Sequence, residues 1–539
     1  MQYPDVNPVT RLDYPDPDVI RVEDTYYMVS TTMHFMPGCE ILRSYDLRNW
    51  EHLSYVYDTL DSTPAQRLEG EENIYGQGMW AASLRYHDGV YYICFVANDT
   101  HKTYLYTARQ PEGPWEKHNM EGFYHDCSLL FDDDGKKYIV YGNREVRLTQ
   151  LKEDLSGPLE GGLHRILVND RDNPNLGYEG SHIYKISGKY YLFLIHSRPD
   201  RWMRTEACFA ADSLEGEFLG GDVLEDDAGL PGCGVAQGPV VDTPEGKWYA
   251  LQFQDMGAAG RIPYLIPVTW KDDYPVFGEN GKIPKEVPVE STRPGYGYAP
   301  LVGSDDFRGE LKLYWEFNHE PDRALIHHDR EKGIWQVRTD KVSGCLLQAR
   351  NTLTQRMLWP GCAAEVTVDG SGLKEGDFAG LCALQACFGF LGLTRRNGRL
   401  YLVVRTVEPG EEGAVPSQKE EEREWAAVPV GERPVDLKLE ADFSPGKDVC
   451  VFYYKGGYKD RYKDGDNNSL DEDSDSSNKD NNSLNESTSF PSRWQKIGPE
   501  HQLRFRLDHF CGCRFGLTVY STKEAGGSAG FSDFIYHER

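Results

Sequence analysis

YPDPDVIRVEDTYYMVS, residues 14–30, lodges an acid between two prolines and follows it with two apolar runs, Val19-Ile20 and Tyr26-Tyr27-Met28-Val29, across an acidic turn. Pro15 and Pro17 restrict the backbone on both sides of Asp16, and a residue that precedes proline is biased toward extended geometry. The stretch reads as a short β-hairpin that opens on a firmly held carboxylate.

The pattern recurs. Five segments share a head residue, one or two small residues, an apolar strand, a turn that usually contains glycine, and then an aromatic pair or a single tyrosine. They are DPDVIRVEDTYY from Asp16, AASLRYHDGVYY from Ala81, DCSLLFDDDGKKY from Asp126, EGSHIYKISGKYY from Glu179 and QGPVVDTPEGKWY from Gln237. Their heads lie 45 to 65 residues apart, which suits four-stranded propeller blades with loops of varying length. The expected fold is all-β, with a five-bladed β-propeller over residues 1–298. In a propeller the first strand of every blade lines the axis, so the five heads should project into one funnel. Three of them are carboxylates. Turn capping or an ion site explains a single acid, whereas three at matched positions favour a catalytic cluster, in which crowding raises at least one pKa.

Composition narrows the partners. The formal charge of −28 repels phosphate backbones and anionic lipid, so neither nucleic acid nor a membrane surface is expected; a neutral sugar is indifferent to that field. No apolar run approaches the roughly 20 residues that span a bilayer, and residues 1–18 lack a basic segment followed by an apolar one. A cytoplasmic protein is expected. The 12 cysteines show no CxxC pair, which favours free, mostly buried thiols over zinc or redox chemistry. Nothing in the sequence indicates an oligomeric state.

Several acids and a neutral substrate point to glycoside hydrolysis, which places two carboxyl groups on opposite faces of the scissile bond. Trp80, beside the second head, and Phe35, in TTMHFMPGCE, are candidate platforms for the apolar face of a sugar; the alternative for each is core packing.

In this order the motifs resemble glycoside hydrolase family 43, the β-xylosidase and α-L-arabinofuranosidase family. YPDPDVIR with PGCEILRSYDLRNW looks like its first blade, WAASLRYHDGVYY its second, HDCSLLFDDDGKKY its third, YEGSHIYKISGKYYLF its fourth, and QGPVVDTPEGKWYALQFQD with GRIPYLIPVTW its fifth. The resemblance implies that Asp16 is the general base, Glu179 the general acid and Asp126 the acid that tunes its partner's pKa and orients the sugar. It implies that Arg261 binds a hydroxyl of the terminal sugar, with Gln237 and the two aromatics completing the substrate contacts. Inversion at the anomeric carbon follows from water attacking opposite the leaving group. Many relatives hold a hydrated cation on the axis with a histidine; the corresponding stretch here is GVAQGPVV, with Ala236 at the place of that histidine. No metal ligand is therefore assigned, and a structural calcium is left in doubt.

After TRPGYGYAPLVG the composition changes. Residues 304–539 resemble the β-sandwich, a concanavalin-like jelly roll, found at the C-terminus of many family 43 xylosidases, with WEFNHEPD, LTQRMLWPGCAAEV and ALQACFGFLGLTRRNGRLYLVV carrying the likeness. In relatives this domain walls off one side of the funnel, which makes a pocket. Two low-complexity stretches interrupt it: 407–425 reads as a charged hairpin loop, and 456–489, with almost no apolar residues, reads as disordered. The expected function is exo-acting, inverting release of xylose or L-arabinofuranose from oligosaccharides. An endo-acting arabinan hydrolase and a non-catalytic sugar-binding propeller are the alternatives.

Overall fold

The computed structural model describes residues 7–408, 422–456 and 493–539. The segment read as disordered lies outside them apart from Gly456. Nothing in the described residues forms a helix long and apolar enough to cross a membrane.

Five four-stranded antiparallel blades follow one another along the first half of the chain. Their inner strands are Asp18–Val22, Met79–His87, Ser128–Phe131, Glu179–Ile186 and, split in two, Val235–Ala236 with Val240–Asp242. Local chemistry explains the hairpins. Asp88-Gly89 and Ser187-Gly188 connect inner to second strands with both residues at positive φ, the turn whose twist matches that of the strands it joins. Alternating apolar side chains then pack blade against blade, as Val140, Leu148, Ile183 and Leu192 do between blades three and four. The N-terminal segment closes the circle, since Val9 N donates to Pro263 O and Tyr14 N to Arg261 O in blade five.

Inner strands are handed on by side chain to backbone. Asp18 Oδ2 accepts Leu84 N (2.8 Å), Ser83 Oγ accepts Leu129 N (3.0 Å) and Ser128 Oγ accepts Ile183 N (3.1 Å). Asp18, Ser83, Ser128 and His182 are thereby structurally equivalent. Arg85, on blade two, reaches blade one at Asp18 Oδ2 (2.7 Å), blade three at Ser128 Oγ and Leu129 O (2.6 and 2.9 Å), and the Tyr184 ring of blade four (5.1 Å). A guanidinium that touches four blades sits at their common centre.

The C-terminal half forms two eight-stranded sheets packed as a sandwich. The hairpin expected around 407–425 is present, with Val407 opposite Glu422; residues 409–421 of its loop lie outside the described residues. One sheet captures a piece of the propeller, because Phe35–Met36 pairs with Glu316–Asn318. Beneath that junction lies a buried ion network: Arg356 contacts Glu40 (2.8 Å) and Glu316 (3.0 Å), Arg514 contacts Glu316 (2.6 Å), and His52 contacts Glu40. Burial opposes the charge on Glu40, but Arg356 and His52 outweigh it and hold the carboxyl at about 2. Removing one partner of such a network typically costs about 3–5 kcal/mol because the other charge stays buried, so the two domains are locked together.

Candidate active site

The three acids converge as the repeat implies, but their backbones differ from the expectation. Asp16 is not extended: its φ is +50°, and Asp126 and Gln237 share that geometry at +49° and +59°. Left-handed φ is uncommon outside glycine and carries strain. Here it recurs at three heads, each with its carboxylate or its backbone anchored. Asp16 Oδ1 pairs with Arg261 Nη1 (2.7 Å) and its Oδ2 accepts Thr31 Oγ1 (2.7 Å). Asp126 Oδ2 accepts Gly180 N (3.1 Å), and Gln237 N donates to Glu206 Oε2 (2.8 Å). Glu206 is itself fully buried, which raises its pKa well above the carboxylate range.

Glu179 departs from the repeat by one residue. Asp16 and Asp126 lie two positions before Asp18 and Ser128, whereas Glu179 lies three before His182, across a bulge in the blade-four hairpin. The true head of that blade is Gly180, at φ +64°, where a Cβ would press to 2.7 Å from the Gln237 side chain. Glu179 is therefore equivalent to Trp80 and His125, and the three line one wall. The Trp80 and His125 rings are 6.0 Å apart, and His125 Nε2 lies 3.8 Å from Glu179 Oε2 and 3.7 Å from Asp126 Oδ2. Aligning the repeats on Ser83 and Ser128, not on the aromatic pairs, brings out this second ring.

Electrostatics follows from crowding. Burial, with Glu179 and Asp16 nearby, pushes Asp126 up to about 6, although His125 pulls the other way. The His125 imidazole rises to about 9, chiefly because of Asp126, with a further contribution from Glu179. The loop 142–144 fixes the pair. Gly142 N donates to His125 O (2.9 Å), Asn143 Nδ2 donates to Glu179 Oε2, and Arg144 N donates to Tyr178 O (2.8 Å). The sequence pattern does not single out His125 or Asn143, since alignment on the aromatic pairs hides the first and only the loop's path reveals the second.

The sandwich supplies one wall. Phe510 lies 5.5 Å from Trp80 and 4.3 Å from the Arg261 guanidinium, which also faces Phe253 at 5.3 Å. The loop that carries it is pinned to the propeller by Gly512 N to Asp13 Oδ2 (2.7 Å) and Cys513 N to Ala258 O (2.8 Å). Phe510 was not foreseen, because its partners lie some 250 to 430 residues away in sequence. Arg261 is only 2% exposed and is engaged first with Asp16. Trp80 stands in the wall beside His125, while Phe35 does not. Its ring is 2% exposed and capped by the Arg514 guanidinium 3.4 Å from its centroid, so it has no free face for a sugar and belongs to the interdomain core.

His125, Asp126 and Glu179 bring potential ligand atoms within 4.8 Å of one another, but an imidazole that stays protonated to about pH 9 is a poor metal donor. On the axis the residues do not fit a bound cation either. Ala236, buried with Ile195 and Phe253, offers no ligand atom, and both oxygens of Asp18 are engaged, one by Arg85 (2.7 Å) and the other by His182 Nδ1 (3.3 Å).

The chain resembles known proteins over both domains. The profile of Glycosyl hydrolases family 43 matches residues 6–275, and that of the Beta xylosidase C-terminal Concanavalin A-like domain matches 304–472. A β-xylosidase of Formosa agariphila is 27% identical, over 72% of this chain and 74% of its own. A non-reducing end α-L-arabinofuranosidase of Bacteroides ovatus is 24% identical, over 74% and 77%. The structure of a bifunctional GH43-CE protein of Bacteroides eggerthii superposes with a TM-score of 0.86 at 40% identity, covering all of this chain, which spans 64% of the length of that protein.

Proposed function

Since this chain belongs to glycosyl hydrolase family 43 and is a glycosidase, we propose that it removes single xylose or L-arabinofuranose units from the ends of oligosaccharides, inverting the anomeric carbon. The observation that carries this reading is the unequal anchoring of two acids. Asp16 is buried, with one oxygen on the Arg261 guanidinium and the other on the Thr31 hydroxyl, a fixed placement that suits a base acting on an oriented water. Glu179 accepts the Asn143 amide, has the His125 imidazole 3.8 Å away and keeps 17% of its side chain exposed, where it can meet the leaving oxygen. Asp126 steadies the peptide after Glu179.

In the reaction, the proton on Glu179 passes to the glycosidic oxygen as the bond to the anomeric carbon breaks. Water adds from the opposite face while its proton passes to Asp16. The Phe510 wall supports a pocket that admits a chain end, and so exo action over endo cleavage. Arg85 supplies the axial positive charge in this reading, without a cofactor. The unpaired state of all twelve cysteines is compatible with a reducing, cytoplasmic setting.

The test is hydrolysis of p-nitrophenyl β-xyloside and α-L-arabinofuranoside, with the first-formed anomer read by proton NMR. Release of the inverted sugar from either supports the reading. Retention of configuration, or no hydrolysis of either, overturns it.

A further inference from the structure

His125 has no part in the mechanism above, yet it occupies the position in blade three that Glu179 occupies in blade four. Its ring is three-quarters buried, with 23% of the side chain exposed, and its Nε2 lies between Asp126 Oδ2 at 3.7 Å and Glu179 Oε2 at 3.8 Å. Trp80 covers it from blade two, and Gly142 N fixes its backbone from the far side. The titratable groups facing it are those two carboxyls and the buried thiol of Cys127.

We propose that His125 is the counter-charge of the acid pair, stabilising the negative charge that Glu179 acquires as its proton leaves for the glycosidic oxygen. The inference rests on Glu179 being the proton donor. It is an electrostatic positioning role: before transfer Glu179 is neutral and gains little from a nearby cation, whereas after transfer it is a carboxylate beside an imidazolium. An interaction stronger in the transition state than in the ground state accelerates the chemical step. Asp126, the largest influence on the imidazole, raises its pKa and holds its charge while Glu179 carries a proton. The benefit depends on the leaving group. A sugar alcohol needs its oxygen protonated and draws fully on His125, while a nitrophenolate leaves without much help.

The experiment compares the parent with His125→Phe, which keeps a ring beside Trp80 without charge, and with His125→Asn and His125→Lys. Each is assayed on a disaccharide and on the matching p-nitrophenyl glycoside across pH, with melting temperature as the control for folding. The expected result for Phe and Asn is a fall in kcat on the disaccharide of about tenfold or more, with kcat/KM on the nitrophenyl substrate nearly unchanged. The acidic limb should move to higher pH, because Asp126 loses the cation that lowers its pKa. Lys should restore part of the loss. Equal falls on both substrates, or no fall on the disaccharide in whichever uncharged variant retains the parent's melting temperature, would overturn the proposal. A parent inactive on both substrates would overturn the hydrolase reading itself, a failure visible without any variant.

Discussion

Asp126 Oδ2 accepts the backbone N–H of Gly180 at 3.1 Å, so the third acid of the cluster grips the peptide bond next to Glu179. This hydrogen bond joins blade three to the head of blade four, one residue after Glu179. Asp126→Asn keeps an oxygen that can accept this bond but loses the charge, whereas Asp126→Ala loses both. Activity should fall by roughly 10²-fold in the first, the order expected when one acid–base element is impaired, and further in the second. Equal activity in the two variants would show that the Gly180 contact has no functional weight.

Glu179→Gln should slow hydrolysis of disaccharides by about 10²–10⁴-fold while sparing activated aryl glycosides, which need little protonation. Asp16→Asn should abolish turnover on both kinds of substrate, since water must be activated whatever the leaving group. Comparable loss on both in the Glu179 variant would remove it from the acid role.

Phe510 packs on the Arg261 guanidinium and against the Trp80 ring. Phe510→Ala should raise KM about five- to thirty-fold, corresponding to about 1–2 kcal/mol from a desolvated cation–π contact and lost enclosure. Kinetics at an unchanged melting temperature provide the check, and an unaltered KM would mean that the sandwich does not shape the pocket.

His34, His319 and His509 meet at the domain interface, with His509 stacked on Tyr75 at 4.1 Å. Burial first, then neighbouring positive groups, lowers all three: His34 and His319 lie well below the usual value, and His509 is near 3. A base whose folded pKa is depressed contributes stability that is complete above its unfolded pKa of about 6.5 and is lost as pH falls below it, at about 1.4 kcal/mol per histidine per pH unit. Asp126 and Asp448, both raised to about 6, act in the opposite direction, so the test is a difference. His509→Phe should flatten the change in urea-unfolding free energy between pH 7 and pH 5 relative to the parent. Parallel curves would assign the acid sensitivity elsewhere.

If Arg85 provides the axial charge, dialysis against EDTA should leave both activity and melting temperature where they were. Inactivation reversed by calcium would contradict this. Arg85→Met should destabilise the propeller by about 3–5 kcal/mol, because Asp18, 1% exposed, loses its ion partner. Urea denaturation measures it.

The blades and their number are legible in the residues alone. Hairpins such as Met79–His87 with Val90–Ala97 are encoded within some twenty residues by alternation and a Gly-containing turn, and such local signals survive without knowledge of what packs on them. The repeat also determined that Asp16, Asp126 and Glu179 share one funnel. Which side chains stand beside them depends on packing between distant segments. Glu179 lies one position before its blade's head, in register with His125 and with Trp80, whose hairpin carries the same bulge, and with a side-chain period of two an offset of one residue changes which face a side chain serves. Phe35 left the site for the same kind of reason: its strand pairs with Glu316–Asn318, nearly three hundred residues away, and its ring went under Arg514. Phe510 entered from the other domain, held by Asp13 and Ala258. Contacts of that range depend on how two separately encoded surfaces meet, and neither surface carries the other's pattern in its own residues.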